Sequence, residues 1–355
     1  MNKLISIIIL TFNSKKYIED CLQSVLEQTY ENIEIVVVDN NSKDRSVEIV
    51  RKILREYKRG QSAFANLPAG KAGATADRVI LNNKNFGYAE GNNVGIRESR
   101  GEYIILLNVD TILDKDFVQE IAGSFEKDSK IGSVQGKVYQ LNNNHPPVSE
   151  ARKTKIIDTF GFTVFKSGRI IDAGQGTEDI DQYSSTGSGL RKVFGVNGVA
   201  PAYRRIALND IKLKDEYLDK DFFCYCEDVD LAWRLNWRGW LVVFNPNAVV
   251  WHDRTSSKSV GKGWKEFRKT RKSQSLWMRK ISWRNTWLVF IKNLPFKSFL
   301  NPQFLKRQIK FGLYLLFFEP RVLLAKFEII KLFPRMLKKR KLIMKNKKVN
   351  YVRLD

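Results

Sequence analysis

Cysteine is scarce in this sequence. The chain of 355 residues contains only Cys21, Cys224 and Cys226. Three cysteines in a chain of this length exclude a small domain held together by a disulfide framework. The short spacing of Cys224 and Cys226, which would alternate on a strand, does not suggest a tetrahedral metal site. This cysteine usage is typical of a protein that works in a reducing cytoplasm.

Long apolar runs are also missing. No stretch of about 20 consecutive apolar residues occurs, so the sequence predicts no transmembrane helix. The nearest approach, residues 311–330, is interrupted by Glu319 and Arg321. The start of the chain, MNKLISIIILTFN, resembles a signal peptide, but its apolar run is only about seven residues long and lacks a small-residue cleavage pattern. We interpret this run as a buried first strand.

Acidic residues are rare in one part of the chain. Residues 254–355 contain 4 Asp and Glu against 28 Lys and Arg, whereas residues 1–253 contain 34 against 33. The net charge of +23 therefore belongs to the C-terminal part. We predict a near-neutral domain over residues 1–253, followed by a basic region over residues 254–355.

Short apolar segments alternate with helical patterns in the first half of the chain. The strand-like segments are residues 4–10, 33–39, 78–81 and 101–110. Apolar residues at helical spacing separate them, as in residues 15–28 and 45–57. Near-continuous apolar strands joined by amphipathic helices predict an α/β fold, with a parallel sheet covered by helices on both faces. Ligands bind such sheets beyond the carboxyl ends of the strands.

The remaining segments are expected to fit around this sheet. Residues 59–77 are rich in Ala and Gly without an apolar period, which predicts a flexible insertion. Short strands with glycine turns are expected over residues 131–200, including a hairpin over 161–176, and helical spacing resumes over 227–240. Beyond these, aromatic and basic residues at helical intervals, as in residues 265–294, predict a C-terminal amphipathic helical extension. The last residues are basic and show no apolar pattern.

Polar residues at the strand ends are the first candidates for chemistry. Asp39 either accepts hydrogen bonds from a ligand or caps the helix that follows it. Asp110 either joins a divalent cation, for which hard oxygen ligands are suited, or forms a turn. His252 ends an apolar segment and is either structural or a ligand. No single one of the three decides between its alternatives.

An acidic cluster opens the helical pattern at residues 227–240. It consists of Glu227, Asp228 and Asp230. At a helix start the amide dipoles favour the ionised form of Asp228, and Asp230 is spaced to pair with Arg234 one turn further on. The cluster is either an ordinary acidic first turn or the seat of a general base, whose pKa must lie near the working pH.

Several motifs occur together in a fixed order. They are SIIILTFN…VVVDNNS, NFGYAEGNNVG, LLNVDT, EDVDLAWRLNWRGW and VVWHD. In order and spacing they resemble the family 2 inverting glycosyltransferases, and most of all the rhamnosyltransferase-like branch of that family. The resemblance covers about residues 4–255. It implies a GT-A fold, which is a Rossmann-like, mostly parallel sheet flanked by helices, and the binding of a nucleoside diphosphate sugar.

The resemblance also implies roles for individual residues. Asp228 matches the catalytic base of the family, and Asp110 and His252 match ligands of Mg²⁺ or Mn²⁺. The first acidic position of the family's metal motif is Asn108 here, so the metal would be held by Asp110, His252 and the diphosphate. The residues implied to bind the nucleotide sugar are Thr11, Asn13, Asp39, Asn85, Gly87, Asn92 and Asn108. Those implied on the acceptor side are Asn197, Gly198 and Glu227.

The basic region over residues 254–355 allows three interpretations. It binds nucleic acid through phosphate neutralisation, lies on an anionic membrane surface, or is a solvated helical appendage. Its aliphatic and aromatic surface is larger than a phosphate-binding arm needs, which favours the membrane. We therefore expect no nucleic acid partner.

Together these features predict an inverting glycosyltransferase in the cytoplasm, peripheral on the inner face of the cell membrane. By resemblance it would move rhamnose from dTDP-rhamnose to a lipid-linked saccharide or a cell-surface polysaccharide. One alternative is the same chemistry with a UDP-hexose donor. An alternative from another class is a nucleic-acid-binding protein with a degenerate nucleotide-binding domain. The joint presence of Asp39, Asp110, Asp228 and His252 argues against degeneracy.

Overall fold

The structure is a computed structural model that describes residues 2–58, 78–142, 152–180, 189–254 and 264–355. The predicted insertion at residues 59–77 lies outside the described residues.

Four strands form the parallel part of the central sheet. They are β1 (Ile5–Thr11), β2 (Ile33–Asp39), β3 (Arg78–Leu81) and β4 (Tyr103–Asn108). They pair in the order β3-β2-β1-β4, and each pair is parallel. The connecting helices are α1 (Ile18–Leu26), α2 (Ser46–Lys58) and α3 (Gly87–Glu98). The predicted βαβ arrangement is confirmed, and all four strands end at one edge of the sheet.

The sheet continues past β4 with strands from the second half of the domain. These are β5 (Thr111–Leu113), β6 (Ile131–Leu141), β7 (Lys153–Thr159), β10 (Arg191–Lys192), β11 (Ala202–Arg204) and β12 (Leu241–His252). The short β11 pairs antiparallel with both β4 and β6, and β12 runs parallel to β6. The predicted hairpin is β8 (Phe162–Val164) and β9 (Ile170–Asp172). The sheet is therefore mostly parallel among its long strands, and β5, β7, β10 and β11 add antiparallel pairs.

The prediction of only short strands over residues 131–200 is wrong for β6, which is 11 residues long. Ser133, Gln135 and Lys137 alternate with apolar residues along it, which is typical of a strand with one solvated face. All three are nevertheless buried. Lys137 Nζ lies 2.6 Å from Asp179 Oδ2, so the charge enters the interior with its partner. This pairing connects distant residues, and alternation alone could not reveal it.

Helices cover both faces of the sheet. The further helices of this part are α4 (Phe117–Lys127), α5 (Arg205–Ile211) and α6 (Glu227–Arg238), with a 3₁₀ helix at Lys220–Phe222. Apolar residues of α1, α2 and α4 pack on one face, together with Ile5, Ile7 and Ile9 of β1. Apolar residues of α3, α5 and α6 pack on the other, against Ile8. Because its side chains alternate between the two faces of the sheet, β1 contributes apolar residues to the core on each face.

The C-terminal part is helical. It consists of α7 (Trp264–Ser273), α8 (Leu276–Asn293), α9 (Phe296–Phe299), α10 (Pro302–Phe318), a 3₁₀ helix at Pro320–Ala325 and α11 (Lys326–Lys345). The sequence showed no apolar pattern near the end, yet Met336 and Ile343 of α11 are buried. None of the helices in the described part of the chain is long and apolar enough to cross a membrane.

The C-terminal helices pack directly on α6. Trp233 and Trp237 of α6 share an apolar core with Leu288 and Phe290 of α8. Residues of α11 join the same core. The helix that carries the acidic cluster is therefore held between the sheet and the basic region.

A buried ion network reinforces this contact. Lys292 Nζ of α8 lies 2.8 Å from Asp230 Oδ1 on α6 and 2.5 Å from Asp219 Oδ2. Arg234 Nε donates to Asp230 Oδ2 at 2.9 Å, which confirms the pairing expected one turn along the helix. Lys292, Asp219 and Asp230 are fully buried. Charges in such positions are tolerated because each has partners of opposite sign.

Candidate active site

The ends of β1 and β2 bring three predicted residues together. Thr11 Oγ1 donates to Asp39 Oδ1 at 2.8 Å. Asp39 also accepts from the backbone N–H of Ser42 at 2.9 Å, and Asn13 N–H donates to Ser42 Oγ at 2.8 Å. Thr11 and Asp39 are buried, while Asn13 is exposed at the rim. The three form one small polar pocket at the carboxyl edge of the sheet.

Asp39 does not cap the helix that follows it. That helix, α2, begins at Ser46. The backbone N–H of Ser46 donates to Asp44 Oδ1 at 3.0 Å, so Asp44 provides the side-chain acceptor there. The side chain of Asp39 instead binds Thr11 and the turn to Ser42. Helix capping, the alternative role for Asp39, is not what the structure shows.

The start of α3 holds three more predicted residues. Gly87 has φ +79°, and a Cβ on it would lie 2.5 Å from the backbone oxygen of Phe223, so only glycine fits this contact. Asn85 is exposed, and its Oδ1 accepts from Gly87 N–H at 2.8 Å. Asn92 is buried and donates to the Tyr88 carbonyl at 2.9 Å. Asn85 reaches the surface, whereas Gly87 and Asn92 shape the loop from inside.

Asp110 and His252 meet at the end of β4. Residue 108, Asn108, ends that strand and donates its N–H to the Val199 carbonyl at 2.9 Å. Because β5 pairs antiparallel with β12, Thr111 lies opposite His252. His252 Nε2 is then 3.5 Å from Asp110 Oδ2. The two predicted metal ligands are neighbours, and Asp110 is partly exposed.

His252 is oriented by a residue that the sequence did not indicate. Its Nδ1 lies 2.8 Å from Asp158 Oδ2, a fully buried carboxylate on β7. A histidine fixed through one ring nitrogen by a carboxylate, with the other nitrogen directed at a second carboxylate, is the arrangement of metal-binding histidines. Burial opposes protonation, but Asp110 and Asp158 together raise the pKa of His252 to about 9.

The donor set fits a divalent cation in part. Imidazole nitrogen and carboxylate oxygen suit Mn²⁺, and the carboxylate suits Mg²⁺. Within the described residues no group of three or more His, Cys, Asp or Glu is arranged to hold a metal. Asp110 and His252 would therefore need further oxygen ligands from a bound diphosphate.

A chain of ion pairs leads from His252 to the acceptor-side residues. Asp158 Oδ1 lies 2.6 Å from Arg254 Nε, and Arg254 donates to Asp172 Oδ2 at 2.9 Å. Asp172 Oδ1 in turn accepts from Asn197 Nδ2 at 2.8 Å. No local pattern marked these charged residues, because they lie on or beside strands that are far apart in sequence: Asp158, Asp172 and Arg254.

Asp228 occupies the first turn of α6, as predicted. Its Oδ2 accepts from Gly198 N–H at 3.1 Å, and its Oδ1 accepts from Val229 N–H at 2.7 Å. Burial raises the pKa of Asp228 to about 6, the charge of Asp172 adds to this, and the backbone donors oppose it. Burial therefore outweighs the helix dipole, and the pKa of Asp228 lies close to neutral pH. A partly exposed carboxylate of this kind can accept a proton from a hydroxyl group.

Glu227 lies beside Asp228 but is buried. Burial, with the charge of Asp228 added to it, raises the pKa of Glu227 well above its ordinary value. Its Oε2 has no hydrogen-bond partner in the described part of the chain. Next to Gly198, a carboxyl group whose protonated form is favoured by burial lies on the side predicted to face the acceptor.

Tyr88 links the two sides of the site. Its hydroxyl group donates to the Gly198 carbonyl at 2.8 Å. Its pKa is raised well above its ordinary value, first by burial and then by the charges of Glu227, Asp228 and Asp110. The predicted metal side and the predicted base thus border one region. No local sequence pattern singled out this tyrosine.

The loop before α6 is shaped by the C-terminal part. Phe223, Tyr225 and Cys226 have φ values of 65°, 66° and 68°, which are uncommon for residues other than glycine. The expectation that Cys224 and Cys226 alternate on a strand is therefore wrong. Asn285 Nδ2 of α8 donates to the carbonyls of Phe222, Cys224 and Tyr225 at 2.9, 2.7 and 2.8 Å. These bonds hold the strained turn that places Glu227 and Asp228.

Comparison with known proteins agrees with this architecture. Two family models match, described as glycosyl transferase family 2 over residues 6–192 and glycosyl transferase family group 2 over residues 103–325. The chain is 24% identical over 262 residues to poly-beta-1,6-N-acetyl-D-glucosamine synthase from Staphylococcus aureus, covering 74% of this chain and 52% of that protein. It is 30% identical over 145 residues to glycosyltransferase GlyG from Streptococcus pneumoniae, covering 41% of this chain and 42% of that protein. The chain thus spans about half the length of the curated relatives it matches.

One solved structure has the same fold. A crystal structure of GalNAc-T7 with UDP, GalNAc and Mn²⁺ superposes with a TM-score of 0.54 at 14% identity, covering 85% of this chain and 52% of that one. The fold is GT-A, with a mostly parallel sheet flanked by helices, as predicted. Since a family model matches more than half of its residues, the chain belongs to glycosyl transferase family 2.

Proposed function

We propose that this protein is an inverting glycosyltransferase in which Asp228 is the general base. One observation carries the proposal: a partly exposed carboxylate with a pKa of about 6 borders the same region as Asp110 and His252, in a chain of this family. Asp228 would remove the proton from the acceptor hydroxyl group as its oxygen attacks the anomeric carbon from the face opposite the leaving group. The configuration at that carbon inverts.

Asp110 and His252 are the residues that would hold Mg²⁺ or Mn²⁺. A divalent cation bound there supplies charge neutralisation for the departing nucleoside diphosphate. Asp158 keeps the imidazole of His252 turned toward Asp110, because it binds the other ring nitrogen. The rest of the mechanism depends on residues that bind and orient the substrates.

The nucleotide sugar would lie along the strand ends. Asp39, with Thr11 and Asn13, would contact the nucleobase. Asn85 and Asn108 would bind the nucleotide sugar between that pocket and Asp110. Gly87 and Asn92 would act by shaping the loop at the start of α3.

Two donor classes remain to be separated by experiment. The motif resemblance supports dTDP-rhamnose as the donor and the rhamnosyltransferase-like branch as the subgroup. The UDP in the GalNAc-T7 structure and the N-acetylglucosamine polymer in the name of the staphylococcal relative favour a UDP-linked hexose as the second candidate. The same relative, as a polysaccharide synthase, supports a lipid-linked saccharide or polysaccharide as acceptor.

Asn197, Gly198 and Glu227 would lie on the acceptor side. Gly198 is bound through its N–H to the base and through its carbonyl to Tyr88. Asn197 is tied to Asp172. An acceptor hydroxyl group above Gly198 would therefore approach both Asp228 and the carboxyl group of Glu227.

The basic region would place the enzyme on the inner face of the cell membrane. Leu313, Phe317, Phe327 and Ile330 are 51%, 72%, 61% and 66% exposed on α10 and α11. Lys306 and Lys310 line the same depression as Leu313 and Phe317, and Lys326 and Lys331 flank Phe327 and Ile330 in sequence. Apolar side chains among basic ones suit an anionic lipid surface, with about 1 kcal/mol from each basic residue near the headgroups.

A donor screen tests the proposal. Hydrolysis and transfer would be measured for dTDP-rhamnose and a panel of UDP-hexoses, each with Mg²⁺, with Mn²⁺ and with a chelator. The proposal requires release of the nucleoside diphosphate from at least one donor, dependent on the metal. If no donor is turned over and none binds, the assignment is wrong.

A further inference from the structure

A groove lies in the C-terminal part, outside the site described above. It is bounded by the β8–β9 turn, α7, α8 and α10, and its volume is about 520 Å³. Its basic lining residues are Arg169, Arg271, Arg307 and Lys310. Its aromatic lining residues are Phe267, Trp283, Trp287, Phe311 and Tyr314. No acidic residue of the described chain lines it. We call it the arginine groove.

Two arginines of the groove, Arg169 and Arg307, form no ion pair with any of the described residues. Arg271, by contrast, is neutralised by Glu319, to which it donates two hydrogen bonds of 2.8 and 2.6 Å. Arg169 is exposed and Arg307 is half-buried, and the charge of Arg169 adds to burial in lowering the pKa of Arg307. A phosphate group that accepts hydrogen bonds from both guanidinium groups would neutralise the two charges.

An uncharged hydrogen-bond donor in the groove also indicates a missing anion. Gln308 follows Arg307 on α10 and lines the groove. Its Nε2 is buried and has no hydrogen-bond acceptor in the described part of the chain. Buried amide groups are almost always satisfied, so an orphaned donor beside unpaired arginines indicates a missing acceptor. Phosphate oxygens would satisfy the guanidinium groups and the amide together.

The surface next to the groove is apolar. Lys310 and Tyr314 line both the arginine groove and a neighbouring depression formed by Ile309, Leu313 and Phe317. These three side chains are 62%, 51% and 72% exposed. An anionic head in the groove would therefore have an apolar track beginning at its edge. This combination fits an amphiphile better than a free anion.

The groove adjoins the candidate active site. Arg169 precedes Asp172 by three residues in the β8–β9 hairpin, which corresponds to roughly 10 Å along a strand. Asp172 lies near Asp228, since it accepts a hydrogen bond from Asn197 and the next residue, Gly198, donates its N–H to Asp228. On the opposite wall, Thr286 Oγ1 is 3.9 Å from Cys226 Sγ, two residues before Asp228. Both walls of the groove therefore lead to the neighbourhood of the base.

We propose that the arginine groove binds the phosphate or diphosphate head of a lipid, whose chain lies on the apolar residues of α10. Its sugar would then extend toward Asp228. This last step rests on the proposed function, whereas the binding of the lipid head does not. The groove would make the lipid-linked acceptor, rather than a soluble one, the substrate of this enzyme.

Binding is tested with decyl phosphate below its critical micelle concentration, by isothermal titration calorimetry on the full chain. Decyl maltoside and inorganic phosphate serve as probes for the chain alone and the anion alone. Arg307→Gln and Arg169→Gln should each weaken decyl phosphate binding at least about tenfold, which corresponds to about 1.4 kcal/mol. Arg307→Lys should recover only part of the loss, because lysine lacks the bidentate geometry. Arg55→Gln, at an exposed position on α2, is the matched control and should bind as the unaltered protein does.

Other outcomes overturn the proposal. If both arginine variants bind decyl phosphate as tightly as the control does, the groove is not its binding site. Inorganic phosphate binding as tightly as decyl phosphate would reduce it to an anion site. Single-stranded RNA that binds through the same arginines, without competition from decyl phosphate, would make the partner a nucleic acid. Because these titrations need no sugar donor, their failure is distinguishable from failure of the donor screen.

Discussion

The two sides of α6 hold their carboxylates in opposite ways. Asp230 faces the C-terminal part. Burial opposes its ionisation, but Lys292 and Arg234 outweigh it and hold the pKa of Asp230 below its ordinary value. Asp228, two residues earlier, has no ion pair with a cation of the described residues, and its pKa is raised to about 6. Asp230, on one side of α6, is therefore neutralised by Lys292 of the basic region and by Arg234. Asp228, on the other side, stays available to act as a base.

The positive charge of the C-terminal part has two different roles. Part of it is buried and fastens α8 and α11 to the sheet domain, as Lys292 does. The part that stays outside surrounds the apolar surface and the arginine groove. One region thus supplies both the support for the acidic cluster and, as we propose, the docking surface for a lipid-linked acceptor.

The largest expected effect comes from Asp228→Asn. Amide for carboxylate keeps the shape but removes the proton acceptor, so kcat should fall by about 10²–10⁴-fold. Donor affinity, measured by calorimetry, should stay within about twofold. Asp215→Asn makes the same change at an exposed position and should leave kcat unaltered. Full turnover in Asp228→Asn would remove the base from the mechanism.

Lys292→Met tests the other side of α6. It leaves Asp230 and Asp219 buried with one partner fewer, and breaking such a pair costs about 3–5 kcal/mol. The free energy of unfolding in urea should fall by that amount. Lys297→Met, on the exposed side of α9, should change it little. A Lys292→Met protein as stable as the parent would mean that the buried network does not fasten the two parts.

Asn285→Ala should link stability to activity. It removes the side chain that satisfies three carbonyls of the turn before α6. Buried carbonyls left unpaired cost about 1–3 kcal/mol, and the turn that positions Asp228 loses its support. Both unfolding free energy and kcat should drop, with the nucleotide affinity less affected. Gln303→Ala, which removes an exposed amide from α10, serves for comparison. Loss of stability at full kcat would show that the turn does not position the base.

The smallest effect is expected from Asp172→Asn. The charge of Asp172 contributes to the raised pKa of Asp228. Its removal should shift the acidic limb of the rate profile to lower pH by less than about one unit. A shift to higher pH would contradict the electrostatic account.

Much of the sheet and of the candidate site could be predicted from local sequence. The apolar runs that became β1 to β4 and the polar residues at their ends follow from patterning, because a buried parallel strand leaves a continuous apolar signature. Asp228 and Asp230 could be assigned to one helix and to different partners. The links between distant segments could not: Asp158 with His252, Asp172 with Arg254, and Lys292 with Asp230 are ion pairs across the fold. A lysine in a strongly basic segment looks solvated until its buried partner is known.

The central claim is that Asp228 works as a base with a pKa raised by its surroundings. The most direct measurement is kcat/KM for sugar transfer as a function of pH, between about 4.5 and 8, in the unaltered enzyme and in Asp228→Asn. Since a base acts only when deprotonated, the account predicts a tenfold fall per unit below about pH 6 in the unaltered enzyme. The variant should show low activity without that limb. A rate that stays level through pH 6, or a limb that persists in Asp228→Asn, would contradict it.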